Sequence, residues 1–335
     1  MRAVEIAAPG RLAPVERPLP EPTGTEVRVD VGYCGICGTD LHMRDSLPQG
    51  AVLGHELAGT VAAVGPDVDG WSVGDRAAVL IYRNCGECRY CRAGEENHCL
   101  VSGQHSKVIG VDLQGGYAEA VVADQALLYP LPDDLPLEHA ALAEPVSIGV
   151  RAARTVDVPF DDPVLVIGAG PIGLLAAYAL RARGYQRLWI VERNPGRAAA
   201  AERLGFHTLP SDDLAGELQR RGIEAPGAIV ECAAAPAAAK AAVGLLRRQG
   251  RLVLVGLPDG DVSFDAQTLV INEIQVRGAA GTSHQDFRTA IDLLASGAVP
   301  AADLITAVAD LDDADTMFGE LLDPATEHVK VLLRP

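Results

Sequence analysis

The chain has 335 residues, 48% of them apolar and 22% charged, with a formal net charge of −17. This length exceeds the roughly 250 residues at which a single hydrophobic core stops growing, so two domains are expected, and the composition is that of an ordered globular protein. The negative charge excludes nucleic-acid backbones and anionic membranes as partners, since either would repel such a surface over about a Debye length.

From Met1 to about Ala143, short β-type runs alternate with Gly and Pro: EVRVDVGY (26–33), LAGTVAAVG (57–65) and RAAVLIY (76–82). That punctuation predicts a small, irregular β domain carrying functional loops and no long helix. The texture changes near Glu144. From residue 163, apolar runs (PVLVIG, RLWIVE, GAIVECA, RLVLVGL, EIQVRG) alternate with helical stretches (PIGLLAAYALRARG, PGRAAAAERLG, AAKAAVGLLRRQG). This is the rhythm of a doubly wound parallel sheet covered by helices. The last segment offers one amphipathic helix, HQDFRTAIDLLASG, and a closing strand, HVKVLLR. The expected division is therefore an α/β chain with a β domain over 1–145, a parallel-sheet domain over 146–280, and a last segment over 281–335. The start MRAVEIAAPG has no leader-like apolar stretch, and no run reaches the roughly 20 apolar residues of a membrane span, so a cytoplasmic protein is expected.

Four of the seven cysteines fall within CGECRYCRAGEENHC, residues 85–99. Thiolates of Cys85, Cys88, Cys91 and Cys99 at this spacing can close around one Zn²⁺ as a tetrahedron, leaving no position open for chemistry. The bland alternative, four unrelated surface thiols, fits the spacing poorly. Such a site staples a loop, and His98 inside it finds the coordination already filled. Cys34 and Cys232 read as packed thiols. His105, His139, His207, His284 and His328 show no ligand spacing.

A second, open site requires about three protein ligands and a water. Cys37 in CGICGTDLH and His55-Glu56 in VLGHELAG supply suitable donors, with Glu144 in LAEPV as a further one. Taken singly, each has a plainer reading: a buried thiol, a core imidazole, two solvated acids.

PVLVIGAGPIGLLAAYAL places Gly168, Gly170 and Gly173, with Pro171 and Ile172 between them, after a strand-like run and at the mouth of a helix. There the backbone can approach a pyrophosphate, which meets free N–H groups and a positive dipole end. Glu192, nineteen residues past Gly173, can accept both ribose hydroxyls and repels a 2′-phosphate, favouring NAD over NADP. Arg193 and Arg197 pull the other way if they face a phosphate; otherwise they belong to a solvated helix start.

The ordered set Cys37-Gly38-Thr39-Asp40, Gly54-His55-Glu56, the four-cysteine lobe, Glu144-Pro145 and the glycine-rich turn resembles the zinc-dependent medium-chain dehydrogenase/reductase family. The similarity is greatest to its polyol, threonine and butanediol branches. The resemblance spans essentially the whole chain. It implies a GroES-like β catalytic domain over 1–145 to which 281–335 returns, an inserted dinucleotide-binding Rossmann domain over 146–280, a substrate cleft between them, and a homodimer or homotetramer. It assigns Cys37 and His55 to a catalytic zinc and leaves open whether Glu56, Glu144 or both complete the set, since many alcohol dehydrogenases carry cysteine where Glu144 stands. With the lobe, that makes two zinc ions per chain.

Thr39 is then placed to hydrogen-bond the substrate oxygen and His42 to pass its proton to solvent, against the alternatives of a turn hydroxyl and a surface imidazole. Asp40 is expected to fix the tautomer of His55, against a loop cap. The implied reaction moves a hydride between NAD and a small-molecule alcohol, favoured as a secondary polyol, sugar or amino alcohol, with a primary alcohol as the alternative. A zinc-free quinone or enone reductase has no use for Cys37, His55 and Glu56 together. A non-catalytic protein retaining the fold predicts loss of those ligands, and a zinc-finger nucleic-acid binder conflicts with the acidic charge.

Overall fold

Apolar alternation in the N-terminal third produces strands β1 (Arg2–Ala8), β2 (Arg11–Glu16), β3 (Glu26–Gly35), β4 (Glu56–Val64), β5 (Arg76–Val79), β6 (Ala120–Asp124) and β7 (Leu128–Pro130) in the computed structural model. The middle of the chain supplies β8 (Val164–Ile167), β9 (Leu188–Val191), β10 (His207–Leu209), β11 (Ala228–Glu231), β12 (Arg251–Leu254) and β13 (Gln275–Gly278), and the C-terminal part supplies β14 (Ile305–Asp310) and β15 (Lys330–Arg334). The structure describes residues 1–101, 108–323 and 325–335; His105 lies outside them. Two units result, one made of Met1–Glu144 with Ser283–Pro335 and the other of Pro145–Thr282.

In the first unit, β14-β15-β3-β4-β5-β7 form one sheet, with β6 also paired to β3, while β1 and β2 form a separate hairpin. The β3–β4 pair is antiparallel and brings Gly35 opposite Glu56, so the segments running on from β3 and into β4 meet at one end of the sheet. The tail is built into this unit. β15 pairs with β3 through Leu332 and Leu333, the Leu12 N–H donates to Asp315 at 2.8 Å, and the fully buried Phe318 packs edge-on against Tyr117 with ring centroids 6.0 Å apart.

In the second unit, the parallel order β10-β9-β8-β11-β12-β13 is that of a doubly wound sheet. β8 and β11 are buried at every position, which explains the apolar run of β8 and of β11 up to its last residue, Glu231: a central parallel strand has no face left for water. Leu165, Ile167, Ile229 and Leu252 form part of one core with Val243 and Leu246 beyond β11. Helix Pro171–Arg183 starts with Pro at its first turn and stops at Gly184, which adopts a left-handed conformation.

Several predicted elements differ in extent. RAAVLIY yields only the four-residue β5, and β10, β14 and the helices Ala143–Thr155, Ala266–Asn272 and Ala314–Leu322 join those expected. The helix His284–Ala295 forms as read, opened by a reciprocal cap between Ser283 and Asp286. Among the described residues, no helix is long and apolar enough to cross a membrane.

Truncating Phe318 to Ala should destabilise the protein by about 3–5 kcal/mol, because it empties a closed site where the C-terminal segment meets Tyr117. Urea unfolding followed by circular dichroism measures it; an unchanged midpoint contradicts the role given to the tail.

Candidate active site and metal centres

The junction of β3 and β4 carries the first constellation. Cys37 caps the short helix Gly38–Met43, its sulfur accepting the Thr39 N–H at 3.4 Å, while His55 stands one residue before β4. Between them lies Asp40, wholly buried. Its Oδ2 accepts the Cys37 N–H at 3.0 Å and the Tyr117 hydroxyl at 2.7 Å, and its Oδ1 is 3.2 Å from His55 Nδ1.

Burial disfavours a charged imidazole here. The negative charge of Asp40 at 3.2 Å, with the nearby Cys37 adding to it, outweighs this and raises the His55 pKa well above its ordinary value. Burial works against the Asp40 carboxylate too, but His55, Cys37 and Tyr117 hold its pKa below the usual value. With Nδ1 turned to Asp40, Nε2 is the imidazole nitrogen left for a metal, an orientation typical of ligating histidines. The donor set of a thiol and an imidazole whose second nitrogen faces a carboxylate fits zinc.

The two candidate acids are placed differently. Glu56 is buried, and both its oxygens accept from Lys330 Nζ, at 2.8 and 2.6 Å; Lys330 also donates to the Ile36 carbonyl at 3.0 Å. Glu144 is also buried. Burial pushes its pKa up to about 7, with Glu56 and Asp40 adding to the rise and His55 and Lys330 opposing it, so it lies in the electrostatic field of the same cluster. Thr39 and His42 are exposed on the short helix, one turn apart.

Sequence reasoning missed Tyr117 and Lys330. Lys330 left a signal, a lone cation in the apolar strand HVKVLL. Tyr117 left none that separates it from an ordinary core tyrosine.

The second constellation is the cysteine lobe. The sulfurs of Cys85, Cys88, Cys91 and Cys99 all lie within 4.8 Å of one another, with separations of 3.8 Å for Cys85–Cys91, 3.5 Å for Cys88–Cys91 and 3.5 Å for Cys85–Cys99. A tetrahedron with Zn–S bonds of about 2.3 Å has edges of about 3.8 Å, so the cage has the right size. Burial and the neighbouring Cys88 and Cys99 thiols push Cys91 up to about 12. Four thiolates in this volume therefore require a cation among them, and a zinc ion fits. His98 stacks at a tilt on Tyr90 with centroids 5.7 Å apart. Cys34 is fully buried, which raises its thiol pKa, and burial does the same at Cys232.

The third constellation belongs to the second unit. Gly168 sits at φ +99°, and a Cβ on Gly173 would lie 1.9 Å from the Gly168 carbonyl, so the helix start can approach β8 this closely only as glycine. Gly170, Pro171 and Ile172 form the cap and first turn of the following helix. Glu192 joins this turn to the end of β9: its carboxylate accepts the Ala169 N–H at 2.7 Å and the Asn194 N–H at 2.8 Å. Beside it opens a cavity of about 610 Å³ lined by Glu192, Pro195, His207 and Thr208, with Arg193 and Arg221 on its wall. Arg197 contributes its N–H to the Asn194 cap.

Comparison with known proteins places the chain in one class. Residues 23–133 match the alcohol dehydrogenase GroES-like domain and residues 171–296 the zinc-binding dehydrogenase family. The chain belongs to the zinc-dependent medium-chain dehydrogenase/reductase family and is an oxidoreductase with a GroES-like and a Rossmann-like domain. It is 32% identical to the 2-dehydro-3-deoxy-L-galactonate 5-dehydrogenase of Pseudoalteromonas atlantica, over 93% of this chain and 92% of that one. It is 32% identical to the sorbitol dehydrogenase of Bacillus subtilis, over 95% and 92%. Among solved structures, an Escherichia coli CFT073 alcohol dehydrogenase complexed with NADH superposes with a TM-score of 0.92 at 29% identity, covering 100% of this chain and 99% of that one.

Replacing Lys330 with Ala leaves the Glu56 carboxylate buried without its cation. Loss of about 3–5 kcal/mol is expected in chemical denaturation; a variant as stable as the parent contradicts the buried pair.

Proposed function

We propose that the protein oxidises a secondary alcohol bearing a neighbouring polar group, such as a polyol, sugar alcohol or amino alcohol, to the ketone, with NAD taking the hydride and one proton released to solvent. The observation that carries this reading is the buried His55–Asp40 pair beside the Cys37 thiol, because a protein that had given up chemistry has no use for it. The enzyme is read as a cytoplasmic homodimer or homotetramer. Its family resemblance supports the oligomer, and its seven free cysteines suit a reducing compartment.

Cys37, His55 and a carboxylate would hold the catalytic zinc. Glu144 is favoured for that carboxylate over Glu56, whose two oxygens are taken up by Lys330. Bound zinc would lower the pKa of an alcohol hydroxyl toward neutrality, and bound NAD would accept its hydride. Around these groups the chain has four tasks. Asp40 fixes the imidazole tautomer of His55, and Tyr117 holds Asp40 in place. Thr39 accepts the proton of the substrate hydroxyl in a hydrogen bond, and His42, one turn further along the helix, hands that proton to solvent. The cysteine lobe binds the second, structural zinc and contributes folding free energy rather than chemistry.

Gly168, Gly170, Pro171, Ile172 and Gly173 would receive the pyrophosphate. Glu192 would select NAD, because its carboxylate is fixed by two backbone N–H groups and meets a 2′-phosphate with charge repulsion. Arg193 is exposed, and its side chain is read as cavity wall rather than as a phosphate grip.

Three measurements test the reading. A panel of diols, polyols, amino alcohols and simple alcohols, followed by reduction of NAD or NADP at 340 nm, should give highest turnover with a secondary alcohol and NAD; no turnover on any of them overturns it, and Glu192→Ala should narrow the preference for NAD. Elemental analysis should find two zinc per chain. Cys37→Ser should lose one of them and its turnover while keeping its melting temperature, whereas Cys91→Ser should lose the other and melt earlier. Asp40→Asn should reduce kcat/KM by about 10–100-fold, the range for groups that orient a metal-bound histidine, and a wild-type value would remove Asp40 from the account.

A further inference from the structure

The loop that follows β11 contains a conformation that its sequence does not explain. Ala234 lies at φ +54°. Among the described residues, the other non-glycine positions with positive φ are Asp213, Gln249 and Glu273. Asp213 and Glu273 are helix caps, and Gln249 lies in the turn before β12. Ala234 alone among them follows β11, the strand beside β8 where the sheet order reverses direction. In a doubly wound sheet, ligands enter at that reversal, outside the carboxyl ends of the strands. Alanine gains nothing from a left-handed conformation, so the surroundings must impose it.

The buried side chain of Glu231 imposes it. Its Oε1 accepts both the Ala233 N–H at 2.9 Å and the Ala235 N–H at 3.3 Å, so a single oxygen gathers the two amides on either side of Ala234. The Glu231 carbonyl in turn accepts the N–H groups of Val255 and Gly256, at 2.9 and 3.1 Å. Gly256 stands so close that a Cβ there would be 2.4 Å from the Ala234 nitrogen and 3.0 Å from Glu231 Oε2. On the other side, the Cys232 N–H donates to Ile167 at 2.9 Å, and a Cβ on Gly168 would meet Ala233 at 3.2 Å. The turn after β11 is thus clamped between the glycine-rich turn after β8 and the turn after β12, and the carboxylate sets its shape.

We infer that Glu231 is a positioning residue for the dinucleotide, holding residues 232–235 in a turn, left-handed at Ala234, that walls the crevice opposite the glycine-rich turn. This rests on the reading of the second unit as an NAD site. A preformed wall spares the cofactor the cost of ordering it, so the carboxylate acts on affinity without touching the ligand. Because both amides converge on one oxygen, glutamine retains the acceptor and alanine does not.

The zinc-loaded protein and its variants should be titrated with NADH, reading nicotinamide fluorescence, and amide exchange at 232–235 should be followed without cofactor. Glu231→Gln should bind NADH within about twofold of the parent, whereas Glu231→Ala should bind about tenfold more weakly and exchange faster at 232–235. Adding Ala234→Gly to Glu231→Ala, which makes the left-handed conformation freely accessible, should recover about threefold of the loss; a purely structural role for the carboxylate predicts no recovery. Should Glu231→Ala not fold, Ala234→Val keeps the carboxylate and must weaken NADH comparably. Parent-like NADH affinity and exchange in Glu231→Ala, or in Ala234→Val, overturn the inference while the NAD site stands. A parent protein that binds no NADH overturns the reading of the site and the inference with it.

Discussion

Asp40 is a carboxylate with no access to water, and the end of the first unit that carries Cys37 and His55 is organised around its demand for donors. A buried anion without partners would be neutralised or would unfold its surroundings. Here the backbone of Cys37, the hydroxyl of Tyr117 and the imidazole of His55 converge on it, from three separate stretches of chain. Satisfying one carboxylate therefore brings a thiol and an imidazole together and turns the imidazole so that one nitrogen is free for a metal. The charge also has a local consequence: burial and the Asp40 anion raise the Tyr117 pKa well above its ordinary value, so the hydroxyl stays protonated as a donor.

The same logic recurs at Glu56. Its buried anion is answered by Lys330, 274 residues away in sequence, which gives the C-terminal strand a reason to be in the first unit's sheet beyond its leucines. An uncompensated carboxylate next to His55 and Glu144 would draw a metal or a proton toward itself. Pairing it with a cation leaves Glu144 as the acid whose protonation responds to the cluster. The two candidate metal environments therefore differ in kind. The cysteine cage lies within fifteen residues and is held by backbone donors such as the Cys88 N–H on Cys85, whereas Cys37 and His55 are tied through Asp40 to Tyr117, 77 residues further along the chain.

Much of this was legible in the sequence where the determinants are local. The cysteine spacing, the glycine-rich turn and the apolar runs of β8, β11 and β12 are each set by neighbours within about twenty residues, and each appears as read. Elements with mixed burial were harder. β14 buries no residue fully and alternates only between half-buried and exposed, and the helix Ala266–Asn272 exposes Val270 and Ile271, so neither shows a clean apolar period. The shortening of RAAVLIY to Arg76–Val79 has a similar cause, since beyond Val79 the run bonds to irregular backbone, Leu80 donating to the Leu127 carbonyl and Ile81 accepting from the Ile109 N–H, rather than to a strand. Tyr117 and Lys330 escaped notice because their partners lie 77 and 274 residues away, and a one-dimensional pattern carries no such pairing.

The central claim is that Cys37 and His55 seat a divalent cation distinct from the one in the cysteine cage. Diffraction from crystals of the active protein, collected on both sides of the zinc absorption edge, tests it most directly. The account predicts two anomalous peaks per chain, one within the four sulfurs and one bonded to Cys37 Sγ and His55 Nε2. A single peak, confined to the cysteine cage of protein that turns over substrate, contradicts it.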